Sequence, residues 1–567
     1  MKLLSYLKKS NIIAYAAIIV CVFAAISPVI YSNNYIRQDD LMWEIWPWMK
    51  PSDFGYLYYN TVFQLVRPIC MLSFYLTDLL SIGIQGAVYV RFFSLVVLII
   101  LAIMLFRWQL YFNKNKLLAT TFAICTFTLP AYQVFAATAN YELILTSLVM
   151  TLFSGFLWYK ANLTLNYKAW KSGLILGCLL FFASMLNYPL SSMFIWAMLV
   201  ITYLNSIDQK TYFREHKLSF IAKTTCLTIA LMVFYYLSSR AVHLLFHVRL
   251  DGSRVAVINT EHLLSRLNWL AEVLGWHSYF WRWNNTPPLY QTPFVFLLPI
   301  FTLAIFVTHF KNGYQSTLKA ITKTLASLGI LLTFFFLSYS PILATSEYII
   351  TYRYSLVTMP ILLYLTLWSI SVLLTPSCTN KSISNLFGFL RVSLYSIFIL
   401  SGVYYANLRL ADNIVGPHDN EFTYVQQQLN KNVIPLIQKN KKVLIHAIAC
   451  DPNNTGLEGD ATTSFEYGMN ICQYQQQVIG VIIHSLYKDG IPSNFNDHNN
   501  VIYGENEITV KDTPWGTLLV NGPSNTKIDG KAYRAQGYEI VTLDTRNIPV
   551  YRKYSLYRKV MNRLSLS

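Results

Sequence analysis

The chain has 567 residues, 54% of them hydrophobic and 13% charged, with a formal net charge of +17. A soluble globular protein carries about 25% charged residues, so the repeated apolar stretches of about 18 to 22 residues found here mean a polytopic membrane protein. The Lys and Arg residues sit in short loops between apolar runs rather than on one continuous basic face, which speaks against nucleic acid as a partner.

The first apolar run, 11–31, follows Lys2, Lys8 and Lys9. It is longer than the core of about 7 to 15 residues in a signal peptide and reads as an uncleaved first helix. Further spans are expected near 85–106, 117–137, 141–159, 172–187, 190–205, 219–238, 292–309, 324–344, 354–374 and 389–410. With the N-terminus inside, Arg107/Lys114/Lys116, Lys160/Lys168/Lys171, Lys210/Arg214/Lys217, Lys311/Lys319/Lys323 and Lys381 all fall in inner loops. The short outer loops near Asn140 and Pro189 contain no Lys or Arg, as the positive-inside rule requires.

Residues 61–83 are apolar enough to suggest another span, but Arg67-Pro68 and Asp78 interrupt them. A crossing there would invert every later loop. The segment is therefore expected outside, lying in the interface or dipping in without crossing. The expected fold is a polytopic α-helical bundle of about eleven helices over 1–410, with a C-terminal extracytoplasmic α/β domain over 411–567. Two further outer regions follow, 32–84 and 239–291.

The tail is rich in Asn, Gln and Asp and has no spanning run. NEFTYVQQQLNKNVIPLIQKN reads as a helix, and KKVLIHAIA, QQVIGVIIHSL, NEITV and GTLLV read as short strands. Of eight cysteines, only Cys450 and Cys472 lie in the tail; in an oxidising compartment they could pair as a disulfide.

Asp39 and Asp40 follow the first span within about ten residues. Neighbouring carboxylates beside Trp-rich apolar surface raise each other's pKa, which suits a general base. The alternative is a solvated loop, or an N-cap for a helix near Leu41, but the place in the first outer loop of a membrane bundle favours chemistry. Trp43, Trp46 and Trp48 fit an interfacial aromatic belt. Arg67, in an apolar surround, needs an anionic partner, either a phosphate or a carboxylate such as Asp78. Glu142 opens a helix at its outer end, where the helix dipole favours an acid; Tyr188 lies in the neighbouring outer hairpin. Arg353, flanked by Tyr352 and Tyr354, is a second candidate for a phosphate, or a snorkelling residue. The loop 239–291 carries Arg240, His243 and His247 among other basic and aromatic residues, suiting a polar lipid headgroup, a glycan or an anionic bilayer surface. The His243/His247 spacing lacks a third metal ligand. Nucleotide-binding loops and a Gly-x-Ser-x-Gly elbow are absent, and the span centres are nearly free of charge, unlike those of ion-coupled transporters.

The stretches QDD, RPICMLSFYL, SMLNYPLSSMF and TYRYSLVTMP give residues 1–410 their likeness to a known group. This part of the chain resembles the GT-C superfamily of membrane glycosyltransferases, and within it the Gtr-type glucosyltransferases that modify bacterial O-antigen. The resemblance implies a multi-pass protein of the bacterial inner membrane, with its N-terminus cytoplasmic and its tail periplasmic. It implies a sugar donor on a polyprenyl phosphate, a glycan acceptor such as O-antigen or lipopolysaccharide, inversion at the anomeric carbon, and no required cofactor or metal. Asp40 would be the base with Asp39 orienting the acceptor. Arg67, Arg353 and Arg240 would stabilise the phosphate, with Glu142, Tyr352 and Tyr188 lining the site. A donor-synthesising glycosyltransferase and a flippase would be functional partners. An O-antigen polymerase or ligase acting on diphosphate-linked glycans, and a lipid-linked-sugar flippase, are the competing readings.

Overall fold

The computed structural model describes residues 9–30, 62–72, 83–248, 265–281, 292–343, 355–448, 501–521 and 530–544, with short gaps inside several of these stretches. Asp39, Asp40, Tyr352, Arg353, Cys450 and Cys472 lie outside the described residues.

Among the described residues, the longer helices of the region expected to span the bilayer are α1 Lys9–Ile26, α2 Gly83–Phe112, α3 Lys116–Phe127, α4 Pro130–Ala137, α5 Glu142–Leu163, α6 Tyr167–Asn187, α7 Phe194–Ile207, α8 Thr211–Leu245, α9 Phe294–Lys311, α10 Thr317–Ser338, α11 Thr358–Leu373 and α12 Lys381–Arg409. Nine stretches built on these helices are long and apolar enough to cross a membrane. The pair α3 and α4, bent by 52°, makes a tenth if it counts as one span. Each of the eleven expected spans coincides with one of these stretches, with that pair or with α11. α11 has 16 residues, about 24 Å at 1.5 Å per residue, shorter than a hydrocarbon core of about 30 Å. The chain is a multi-pass helical membrane protein.

The break between α3 and α4 has a local cause. Thr128 Oγ1 donates to the Cys125 carbonyl at 2.9 Å, and Pro130 occupies the first turn of α4. Proline has no N–H to continue the ladder and suits a first helical turn. Asn115 starts α3 by accepting from the Leu118 N–H at 3.1 Å.

α5 and α6 form a close hairpin. Its seam consists of small and hydroxyl residues: Ser147 Oγ lies 2.7 Å from Ser184 Oγ, Thr151 Oγ1 lies 2.8 Å from the same atom, and Ser154 Oγ donates to the Gly177 carbonyl at 2.7 Å. Small residues let backbones approach where no water drives apolar groups together. A Cβ on Gly177 would stand 2.5 Å from the Trp158 ring.

α7 is buried along its whole length and packs against α2, α5, α8, α10 and α11. At one end of the bundle an amide and hydroxyl network joins distant helices. Gln109 Nε2 and Asn205 Nδ2 both donate to Tyr364 Oη, at 2.7 and 2.8 Å, and Asn113 donates to Asn205 Oδ1 at 3.0 Å. Lys217 Nζ donates to the Phe112 carbonyl at 3.1 Å and lies 5.3 Å from the Phe112 ring centre.

After α12 a π-helical turn, Leu410–Val415, leads into α13, Gly416–Gln428, which starts four residues before the expected tail helix, 420–440, and covers its first part. Beyond it, β1 Lys442–Ile448 pairs in parallel with β5 Tyr538–Asp544, Lys442 opposite Tyr538, and the Lys441–Glu539 ion pair at 2.7 Å flanks that register. β2 Val501–Tyr503, β3 Glu507–Thr513 and β4 Gly516–Asn521 form an antiparallel sheet, and α14, Gly530–Ala535, precedes β5. Three of the four expected strands are present; QQVIGVIIHSL lies outside the described residues.

Candidate functional site

The site is built at the end of the bundle where α6 gives way to α7. Tyr188 precedes Pro189 and adopts the extended conformation that a proline imposes on the residue before it (φ −147°, ψ 100°). The helix stops there, and the Tyr188 N–H closes it on the Ser184 carbonyl at 2.9 Å. The turn after it is pinned by Ser191 Oγ donating to the Ile144 carbonyl of α5 at 3.2 Å. Tyr188 is therefore presented at a rigid corner.

Arg67 meets it there. Its guanidinium carbon lies 5.1 Å from the centre of the Tyr188 ring. Its Nε is buried and has no hydrogen-bond partner. Its charge also acts on the Tyr235 hydroxyl of α8. The backbone leading to Arg67 is strained: Val66 has φ +52°, a left-handed conformation rarely adopted by a β-branched residue. Such strain persists only where surrounding structure holds it, and it clusters at functional sites. Pro68 then opens a short helical turn, 68–72, closed by Met71 N–H on the Arg67 carbonyl at 3.3 Å. The same segment touches the end of α8, with Phe63 and Phe246 ring centres 4.7 Å apart. No helix of membrane length occurs among the described residues of 61–83.

The other expected residues are distributed as follows. Glu142 is the first residue of α5, the position expected for it. Arg240 lies on α8, which runs seven residues beyond the span end expected at 238. There Arg240 Nε donates to Tyr236 Oη at 3.1 Å, on a partly exposed face of the helix. So Arg67 and Tyr188 are brought together, whereas the contacts of Arg240 are with its own helix.

Arg91 was not anticipated. It lies on α2, fully buried, and its Nε donates to the Ala137 carbonyl at the end of α4, at 3.1 Å. A guanidinium inside a membrane bundle is a costly group placed for a purpose. The signal available in the sequence was a single Arg inside the apolar run VYVRFFSLVV.

The region between α8 and α9 supplies a second built feature. His277 is fully buried, and its Nδ1 lies within hydrogen-bond distance of Thr358 Oγ1, at 2.8 Å, and of Tyr339 Oη, at 3.2 Å. Burial pushes its pKa down to about 3, so the ring is neutral. Four residues on, Trp281 Nε1 donates to Thr128 Oγ1 at 3.1 Å, at the break between α3 and α4. The loop thereby clasps α3, α10 and α11 at the end of the bundle that holds Tyr188. No cluster of three or more His, Cys, Asp or Glu forms a metal-type site among the described residues.

The arrangement can hold an anion. A guanidinium over an aromatic face, with one N–H buried and unpartnered, needs an acceptor oxygen. No family model, curated protein or solved structure matches this chain. The fold defines the class, a multi-pass helical membrane protein, and the site adds a preset cation at one end of it.

Proposed function

We propose that this protein is an inverting glycosyltransferase of GT-C type. It transfers a sugar, glucose by the family resemblance, from a polyprenyl phosphate to a hydroxyl of a glycan such as O-antigen. It works at the periplasmic face of the bacterial inner membrane, with the tail as an extracytoplasmic α/β domain. The observation that carries the reading is Arg67, held by strained backbone over Tyr188 with a buried, unpartnered Nε. The topology is supported by Lys160, Lys217 and Lys311, which lie at the bundle end opposite Tyr188.

In this mechanism Asp40 accepts the proton of the acceptor hydroxyl while Asp39 orients it. The hydroxyl oxygen attacks the anomeric carbon, and the bond from that carbon to the phosphate oxygen breaks with its electron pair on the phosphate. The lipid phosphate leaves with one more negative charge than the diester carried. Arg67, with Arg353, stabilises that charge; a preorganised donor of this kind is worth about 2.7–4 kcal/mol. A positioned base adds about 10²–10⁴-fold. Glu142, Tyr188 and Tyr352 line the approach.

The test uses the purified chain in liposomes with radiolabelled glucosyl-phosphoryl-polyprenol and an O-antigen acceptor. Asp39→Asn or Asp40→Asn should abolish transfer at unchanged expression and thermal stability. Full activity in both variants would overturn the reading. So would turnover of diphosphate-linked oligosaccharide alone, the behaviour of a polymerase.

A further inference from the structure

α8 is too long for the bilayer it crosses. It has 35 residues, about 52 Å along its axis, against a hydrocarbon core of about 30 Å and a full bilayer of about 40–45 Å. One end is anchored. Lys217 is buried, and its ammonium holds the carbonyl of Phe112, the last residue of α2. A Lys reaching a helix end in this way marks the edge of the hydrocarbon. Arg240 follows Lys217 by 23 residues, which is about 35 Å along the helix. With a typical lean of about 20° that becomes about 32 Å across the membrane, within the headgroup layer of the far leaflet.

What stands at that level is a mixed surface. Tyr236 and Arg240 are one turn apart on the same face, with Arg240 Nε bonded to Tyr236 Oη at 3.1 Å and its guanidinium carbon 5.4 Å from that ring's centre. Beyond them Leu244, Leu245 and Phe246 are 76%, 74% and 55% exposed. Apolar side chains so open to the surroundings, next to a basic residue and a tyrosine, have the composition of a membrane-interface segment. The helix ends there by a Schellman closure: Val248 N–H bonds the His243 carbonyl at 3.0 Å, and His247 takes φ +49°.

We infer that Tyr236 and Arg240 form a binding site for the phosphate of an anionic phospholipid in the leaflet at the C-terminal end of α8. Tyr236 spends its hydroxyl on Nε and sets the plane of the guanidinium. The terminal guanidinium nitrogens then face a lipid phosphate. This site is separate from Arg67 and does not depend on the reaction proposed above. It moves Arg240 from the sugar donor to the bilayer.

The experiment is native mass spectrometry of the full chain released from nanodiscs containing equal amounts of phosphatidylglycerol and phosphatidylcholine. The wild type should retain phosphatidylglycerol preferentially. Arg240→Gln should cut that retention about fivefold, the contribution of one basic residue at an anionic lipid surface. Tyr236→Leu should also lower it, and Arg240→Lys should restore most of it. Unchanged retention in Arg240→Gln, with an unaltered melting profile, would overturn the inference. So would displacement of the lipid by excess inorganic phosphate at constant ionic strength, which would mark a site for free anions.

Discussion

The guanidinium of Arg67 lies over the ring of Tyr188, 5.1 Å from its centre, although 121 residues separate them in the chain. A cation over an aromatic face gains about 0.5–1 kcal/mol when exposed and about 2 when desolvated. In the transfer reaction proposed above, Tyr188→Leu should therefore raise the KM for the lipid-linked donor about 3- to 30-fold with a smaller change in kcat. Tyr188→Phe, which keeps the ring, should stay close to wild type. Equal KM values for wild type and Tyr188→Leu would mean that the ring does not hold Arg67 for substrate.

Gly402 of α12 lies where a Cβ would stand 2.7 Å from Thr128 Oγ1 and 2.9 Å from Cζ2 of Trp281. Gly402→Ala should push Trp281 off its hydrogen bond to Thr128. The expected loss is about 1–3 kcal/mol, as for overpacking in a filled core, read as a lower melting temperature in detergent. Release of the clasp should also expose the loop before α9 to limited proteolysis.

His277 gives stability a pH dependence with a definite sign. Its folded pKa is depressed to about 3, below the usual value of 6.5. Between those values the unfolded chain binds a proton that the folded chain does not. Stability is therefore full above about pH 6.5 and falls as pH drops towards 3, by up to about 1.4 kcal/mol per pH unit. His277→Gln should remove that component of the slope in thermal melts from pH 7 to pH 4. An identical slope in the variant would place the titration elsewhere.

Tyr364 accepts from both Gln109 and Asn205 inside the bundle. Tyr364→Phe removes the acceptor of Gln109 Nε2, whereas Asn205 Nδ2 keeps the Ile201 carbonyl at 2.8 Å. A buried donor left unmade costs about 1–3 kcal/mol. Joining Tyr364→Phe with Gln109→Leu should recover part of that loss, because the second change removes that orphaned donor. Strict additivity of the two would show that they do not share a network.

His247 is exposed and carries φ +49° at the C-terminus of α8. An L-residue in that conformation costs about 1–2 kcal/mol relative to glycine. His247→Gly should therefore hold or raise the melting temperature, an outcome opposite to that of most substitutions.

The spans were legible because each is a long apolar run, and nothing in water competes for such runs. The end of α8 was not, since SSRAVHLL reads as a loop by polarity yet contains no Pro or Gly to stop a helix. The helix runs on until His247 turns it. The clasp by Trp281 and His277 was invisible because its partners, Thr128, Tyr339 and Thr358, are distant in sequence and unremarkable alone. Arg67 stood out because Pro68 and its apolar neighbours isolate it. Arg91 did not, since one charge barely alters the hydropathy of a thirty-residue helix.

α7 touches no lipid in the finished protein, yet it must enter the bilayer as an apolar segment like the others. Of the helices that enclose it, α2 and α5 are synthesised before it, and α8, α10 and α11 after it. The helix at the heart of the bundle thus spends part of biogenesis in contact with acyl chains. It is withdrawn from them only when α11, more than 150 residues later, has left the ribosome. The order of synthesis makes closure of the core a late event, and a chain truncated before α11 would leave one flank of α7 to the bilayer.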